Sequence, residues 1–333
     1  MPARRTALIA MNPSVRALAF PPDLLDRLRM SVDVRDEVVT DFGDPGVRKA
    51  LAATDILITG WGCPRIDAAV LADAPRLAAV LHAAGSVKGH VGPEVWERGI
   101  AVSSAAGANA VPVAEFTVAA IRLAGKRAFR LAARYRDSGH EDHTIDPAMG
   151  NAGRTVGIVG ASRIGRLVLE LLAGSAYELM VCDPFLQPDD AIALGAELVD
   201  LETLLRRSDI VSLHAPALPE TRQLLDVRRL ALLRDGAVVI NTARGSLIDT
   251  AALVAECASG RLDAVLDVTD PEPLPVGHPL LSLPNVQVTP HVAGAMGTEI
   301  RLLGEYVVAE VERLVGNQPL AGRITVDELR RIA

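Results

Sequence analysis

From residue 156 onward the chain alternates short apolar runs with longer amphipathic stretches, and this alternation leaves little choice of fold. VGIV (156–159), LMVCD (179–183), IVSLHA (210–215), AVVIN (237–241), DAVLD (263–267) and VQVTP (286–290) have the length and β-branched content of buried strands. Helical periods separate them, beginning with the segment that opens at Arg163. Strands spaced in this way pair in parallel and are joined by crossover helices, which predicts a doubly wound α/β sheet.

The amino-terminal third repeats the rhythm more loosely. TALIAM (6–11), DILITG (55–60), LAAVLHAA (77–84) and IAVSSAA (100–106) are strand candidates, and DLLDRLRM (23–30) is helical. No sequence repeat relates the two halves, so the expectation is a second, smaller α/β domain. A chain of 333 residues has room for two such cores and for a cleft between them. The stretch from about Asn109 to Tyr135 reads as one long bridging helix with Pro112 in its first turn, where proline is tolerated. Arg122, Lys126, Arg130 and Arg134 recur on it every four residues, a pattern that is more often a solvated face or subunit contact than an anion site. The polar segment 138–153 reads as a linker, and the spacing of His140, Glu141, Asp142 and His143 within it fits no standard metal site. A helix from about Gly297 to Val315, stopped by Gly316, is expected to return the chain to the first domain. The predicted division is 1–108 with 298–333 against 109–297.

Charge and cysteine usage remove several functions. A net charge of −7 argues against general nucleic-acid or anionic-membrane binding. Cys63, Cys182 and Cys257 are odd in number and far apart, so neither a disulfide framework nor a zinc site is indicated, and a reducing cytoplasm fits. The run after Arg4 and Arg5 is too short for a signal peptide, and no apolar stretch approaches the ~18 residues of a membrane helix.

Chemistry collects at the carboxyl ends of the later strands, where open parallel sheets bind their ligands. GASRIG (160–165) follows the first of them. It is a dinucleotide-type phosphate loop, G-x-G-x-x-G, with Ser162 in place of the second glycine. Gly160 permits the tight turn, Gly165 permits close helix packing, and the Ser162 hydroxyl is small enough to donate to a phosphate. Asp183 lies 18 positions beyond Gly165, where an acidic side chain meets ribose hydroxyls and repels a 2′-phosphate, which favours NADH over NADPH. Arg244 offers a planar fork for a carboxylate and its neighbouring carbonyl. Glu272 and His291 are placed to pair, the carboxylate stabilising the charged imidazole and fixing its tautomer, so that His291 acts as a proton shuttle.

These segments together resemble the D-isomer-specific 2-hydroxyacid dehydrogenase family, of the phosphoglycerate dehydrogenase and glyoxylate or hydroxypyruvate reductase kind. The resemblance spans nearly the whole chain. It is most specific in the glycine loop, the dipeptide Asp183-Pro184, HAPALPETRQLLD, LLRDGAVVINTARGSLID, LDVTDPEP and PNVQVTPHVAG. It implies a Rossmann-type NAD domain, a smaller flavodoxin-like substrate domain, and Arg244, Glu272 and His291 as catalytic residues. Cofactor contacts are then expected from Gly160, Ser162, Arg163, Ile164, Gly165, Asp183, His214, Pro216, Thr242, Ala243, Asp267 and Gly294. Substrate contacts are expected from Trp61, the backbone of Gly85, Ser86 and Val87, and Arg244. The implied reaction interconverts a 2-hydroxy acid and its 2-keto acid in a cytoplasmic homodimer without a metal. Trp61 stands where phosphoglycerate enzymes carry an arginine, which disfavours a phosphorylated substrate. Lys88 and His90 depart from the family's usual loop, and a solvated position is the plain reading of both. The alternative is an NAD(H)-sensing, co-repressor-like protein of the same fold.

Overall fold

The computed structural model describes residues 4–139 and 149–329. His140, Glu141, Asp142 and His143 lie outside the described residues. The chain divides into two compact units, of which the first runs to Ala110 and resumes at Ala295, and the second is Val111–Gly294.

In the first unit, β1 (Thr6–Ala10), β2 (Asp33–Val39), β3 (Ile56–Thr59), β4 (Ala79–His82) and β5 (Ala101–Ser104) form a parallel sheet in the order β2-β1-β3-β4-β5. That is the flavodoxin-like order. Alternate residues serve opposite faces, as a sheet buried on both sides requires. Ala7, Ile9, Ile56, Ile58 and Leu81 pack with Leu303, Val307, Val308 and Val311 of the returning helix Ile300–Val315. Leu8, Ala10, Leu57 and Val80 pack on the other side with Val70, Leu71 and Val95. Ile56, Leu57 and Ile58 are wholly buried, each contributing about 1.5–3 kcal/mol.

In the second unit the six expected runs become β6 (Thr155–Val159), β7 (Glu178–Cys182), β9 (Ile210–Leu213), β10 (Val238–Asn241), β11 (Asp263–Leu266) and β12 (Val286–Val288). A two-residue β8 (Glu197–Leu198) completes a parallel sheet ordered β12-β11-β10-β9-β6-β7-β8. The order reverses between β6 and β9, and the residues that follow those strands sit at the switch point where such sheets bind ligands.

The single long helix expected over 109–135 is two helices. The first is Ala106–Gly125, so Pro112 lies inside it and not in its first turn. Arg127 adopts a left-handed conformation (φ 54°) and the second helix, Ala128–Ser138, starts anew. Ion pairs to a buried carboxylate hold the break: Arg127 donates to Asp263 at 2.7 Å and Arg130 does so at 3.2 Å. The four-residue basic stripe is therefore divided between two helices. No helix among the described residues is long and apolar enough to cross a membrane.

Candidate active site

The glycine loop turns sharply out of β6. Gly160 has φ 100°, and a Cβ there would lie 2.7 Å from the backbone nitrogen of Ala215, so the loops after β6 and β9 touch through backbone at a place only glycine fits. Gly165 faces the same crowding, because its Cβ would overlap the Gly160 carbonyl oxygen. Ser162, by contrast, has φ −63° and ψ 176°, an ordinary extended conformation that does not need glycine. Its Oγ accepts from Gly165 N at 3.3 Å and caps the helix Arg163–Leu172. The Ser162 O–H is left free to donate, and the N–H groups of Arg163 and Ile164 have no protein acceptor among the described residues. Unpaired donors at a helix amino terminus suit a phosphate.

Asp183, at the end of β7, accepts from Ala161 N through Oδ2 and from Phe185 N through Oδ1, both at 2.8 Å. One carboxylate thus fixes the glycine loop and the turn after β7. His214 is buried with its Nε2 2.8 Å from Ser212 Oγ, and burial pulls its pKa down to about 3, so it is neutral. Thr242 is buried, its Oγ1 2.8 Å from that of Thr117, which in turn donates to Val113 O. These residues fit a bound dinucleotide: a tight glycine turn, free amides at a helix start, and a fixed carboxylate beyond them.

Arg244 leaves β10 on a turn built by Asn241, whose side chain accepts from Ala243 N at 3.0 Å and donates to Arg244 O at 2.8 Å. Of the guanidinium donors, only Nη1 has a protein acceptor among the described residues, Ala243 O at 2.6 Å. Burial lowers the Arg244 pKa and the Glu272 charge counters it. Gly245 follows, and a Cβ there would lie 2.0 Å from the carbonyl carbon of Thr269, so this turn rests directly on the backbone of the loop that carries Glu272. That loop holds cis peptide bonds at Asp270-Pro271 and Glu272-Pro273.

His291 Nδ1 lies 2.6 Å from Glu272 Oε1. The pair joins the loops after β11 and β12, and the opposite ring nitrogen, Nε2, has no protein partner among the described residues. Asp267 builds the support. It is buried, its Oδ1 accepts from Thr289 Oγ1 (2.6 Å) and Val292 N (2.8 Å), its Oδ2 accepts from Ala293 N (2.9 Å), and its carbonyl accepts from His291 N (2.9 Å). Bonds to an ionised acceptor contribute about 1.5–3 kcal/mol each, enough to hold His291 in its left-handed conformation (φ 55°). The Asp267 side chain therefore serves the histidine loop. Pro216 lies in the loop after β9, and Gly294 lies just beyond the histidine loop.

Among known families, residues 118–293 match the model described as "D-isomer specific 2-hydroxyacid dehydrogenase, NAD binding domain". The chain belongs to this family. It is 36% identical over 267 residues to D-3-phosphoglycerate dehydrogenase of Mycobacterium tuberculosis, covering 79% of this chain and 48% of that one. It is 37% identical over 239 residues to glyoxylate reductase of Thermofilum pendens, covering 69% and 70%. The chain spans about half the length of the phosphoglycerate relatives it matches. Among solved structures, the TT0316 protein of Thermus thermophilus superposes with a TM-score of 0.75 at 33% identity, covering 96% of this chain and all of that one. The chain therefore has two parallel-sheet α/β units, the second of them the family's NAD-binding domain.

In the first unit, Trp61 is exposed, outside both cores flanking the sheet, and its carbonyl accepts from Asn12 N. The N–H groups of Gly85, Ser86 and Val87, after β4, have no protein acceptor among the described residues. Lys88 is exposed, as a solvated position requires. His90 is not solvated in that way: it is half-buried and stacked on His82 with ring centroids 4.3 Å apart. The residues that the sequence reading missed are Asn241, Thr117 and Gly245. Asn241 was visible as an Asx residue closing a strand, whereas the partners of Thr117 and Gly245 are 125 and 24 positions away and left no local signal.

Proposed function

We propose that the chain is an NADH-preferring reductase of 2-keto acids, working reversibly on the corresponding D-2-hydroxy acids. The observation that carries this reading is the 2.6 Å contact between His291 Nδ1 and Glu272, which leaves Nε2, without a protein partner among the described residues, as the proton-transferring atom. In reduction, protonated His291 gives its Nε2 proton to the keto oxygen and becomes neutral. In oxidation, neutral His291 takes the C2 hydroxyl proton, and Glu272 stabilises the imidazolium that results. When bound, the nicotinamide takes up or delivers the hydride at C2. Arg244 grips the carboxylate and the neighbouring oxygen with the donors that have no acceptor among the described residues. In the first unit, the free amides of Gly85, Ser86 and Val87 offer a dipolar anchor suited to a substrate carboxylate, and Trp61 is a further candidate substrate contact.

Gly160, Ser162, Arg163, Ile164 and Gly165 hold the pyrophosphate, with Ser162 O–H as an added donor. Asp183 supports the preference for NADH, since its charge opposes a 2′-phosphate. His214, Pro216, Thr242, Ala243, Asp267 and Gly294 line the remainder of the cofactor site. The protein works as a cytoplasmic homodimer; its three cysteines, odd in number and far apart in sequence, support a reducing compartment.

The test is NADH oxidation by the purified protein against glyoxylate, hydroxypyruvate and phenylpyruvate, with NADPH alongside. Turnover with NADH and little with NADPH supports the proposal. NADH binding without turnover on any keto acid would favour the sensing protein, and equal rates with both cofactors would remove the role given to Asp183.

A further inference from the structure

The loop after β4 combines unpaired backbone N–H groups with a polar side-chain cluster. Gly85, Ser86 and Val87 present three N–H groups with no protein acceptor among the described residues. The buried Val87 side chain packs with Ile66 and Val91 and pins one side of the loop. On the other side, His90 N donates to Val87 O at 3.2 Å, and His90 O accepts from Ile66 N at 2.7 Å. The His90 ring stacks on His82 at 4.3 Å with 39° between the planes, and its Nε2 lies 3.4 Å from Thr59 Oγ1. His82 Nδ1 lies 2.9 Å from the same oxygen.

A hydroxyl has one proton and can also accept. Thr59 can therefore donate to one imidazole and accept from the other, which requires one bare and one protonated ring nitrogen facing it. Two neutral rings meet that requirement, and burial keeps both neutral, with His82 well below its ordinary pKa and His90 at about 4. The cluster therefore adds no charge to the loop, and its amides act on an anion as dipoles.

We infer that His90 is a positioning residue for substrate: through Thr59 and His82 it holds the Gly85–Val87 amides in the geometry that receives the substrate carboxylate. This rests on the assignment of those amides as the carboxylate anchor. Glyoxylate is the appropriate probe, because it consists of little more than the carboxylate and the carbonyl and its KM reports the anchor directly. His90→Ala is expected to raise the glyoxylate KM about tenfold, with kcat within twofold and the NADH dissociation constant, read by fluorescence, unchanged. His90→Gln places an amide nitrogen near the position of Nε2 and is expected to recover most of the loss. Should His90→Ala fail to fold, the isosteric Thr59→Val removes the shared hydroxyl and is expected to raise KM in the same way.

A wild-type KM in His90→Ala, a fall in kcat at constant KM, or failure of His90→Gln to recover would overturn the inference. Ser86→Pro removes one amide of the anchor itself and separates the two ideas. A raised KM in Ser86→Pro with a wild-type KM in His90→Ala rejects His90 and keeps the anchor, while wild-type values in both reject the anchor as well.

Discussion

Replacing Gly245 with alanine tests whether backbone contact between two loops sets the position of Arg244. The new Cβ would sit 2.0 Å from the carbonyl carbon and oxygen of Thr269 and 2.5 Å from the nitrogen of Asp270. Ordinary contact begins near 3.4 Å, so the loops must part by roughly 1.4 Å. No flexible side chain can absorb the shift, because every atom met is backbone. The opposing loop is also tied, with Thr250 Oγ1 donating to Asp270 O at 2.7 Å and Thr269 Oγ1 to Pro271 O at 2.9 Å. Overpacking of this kind costs about 1–3 kcal/mol, which lowers the melting temperature of a unit this size by roughly 5 °C. The catalytic effect is larger in proportion, since Arg244 and Glu272 stand on opposite sides of the contact and a misplacement of ~1 Å costs about 10²-fold. Steady-state NADH oxidation would show kcat/KM down by about that factor, and a thermal melt would report the stability. Wild-type kcat/KM together with a wild-type melt would refute the reasoning, because the loops would then separate freely.

Other outcomes follow from the same geometry. His291→Ala should lower turnover by roughly 10²- to 10⁴-fold with NADH binding intact by fluorescence titration; unchanged turnover would remove His291 from proton transfer. Gly160→Ala forces a Cβ to 2.7 Å from Ala215 N and should abolish NADH binding, and a dissociation constant close to that of wild type would show that the turn can relax. Burial holds His214 near pKa 3 against 6.5 when free, so the unfolded chain binds a proton that the folded unit refuses. The stability contributed there is complete above pH 6.5 and is lost as pH falls from that value toward 3. Melting temperature should fall across that window, and His214→Gln should flatten the fall; an unaltered pH slope in the variant would assign it to other groups.

Much of this architecture was legible because period and composition change together from strand to helix. The strands missed are the ones that do not look buried. β2, DVRDEVV, is an edge strand with four charged residues, which protect an exposed edge from pairing with other chains, and β8 has only two residues. The break at Arg127 was hidden because apolar periodicity continues through it, and its cause, Asp263, lies 136 positions away. In the candidate site, residue types and strand-end positions pointed to Arg244, Glu272 and His291, and the last two are in contact. What holds them did not show: the sequence offers Asp267 only as a cofactor contact, whereas its carboxylate also fixes the loop of His291. His90 reads as a solvated loop residue because stacking on His82 depends on the turn between them.

The return of the chain to its first unit has a consequence for the timing of synthesis. β1 to β5 are made first, but the helix that covers one face of their sheet, Ile300–Val315, is made last. At about 5–20 residues per second, the interval from Ser104 to Val315 is roughly 10–40 s. Throughout it Ala7, Ile9, Ile56, Ile58 and Leu81 have Phe20, Leu24 and Leu28 beside them but lack the part of their cover that this helix supplies, while the contiguous second unit can close once Gly294 has emerged. The newborn chain therefore carries a complete central unit beside an incomplete amino-terminal one, and the half-covered apolar face is where a chaperone would find it.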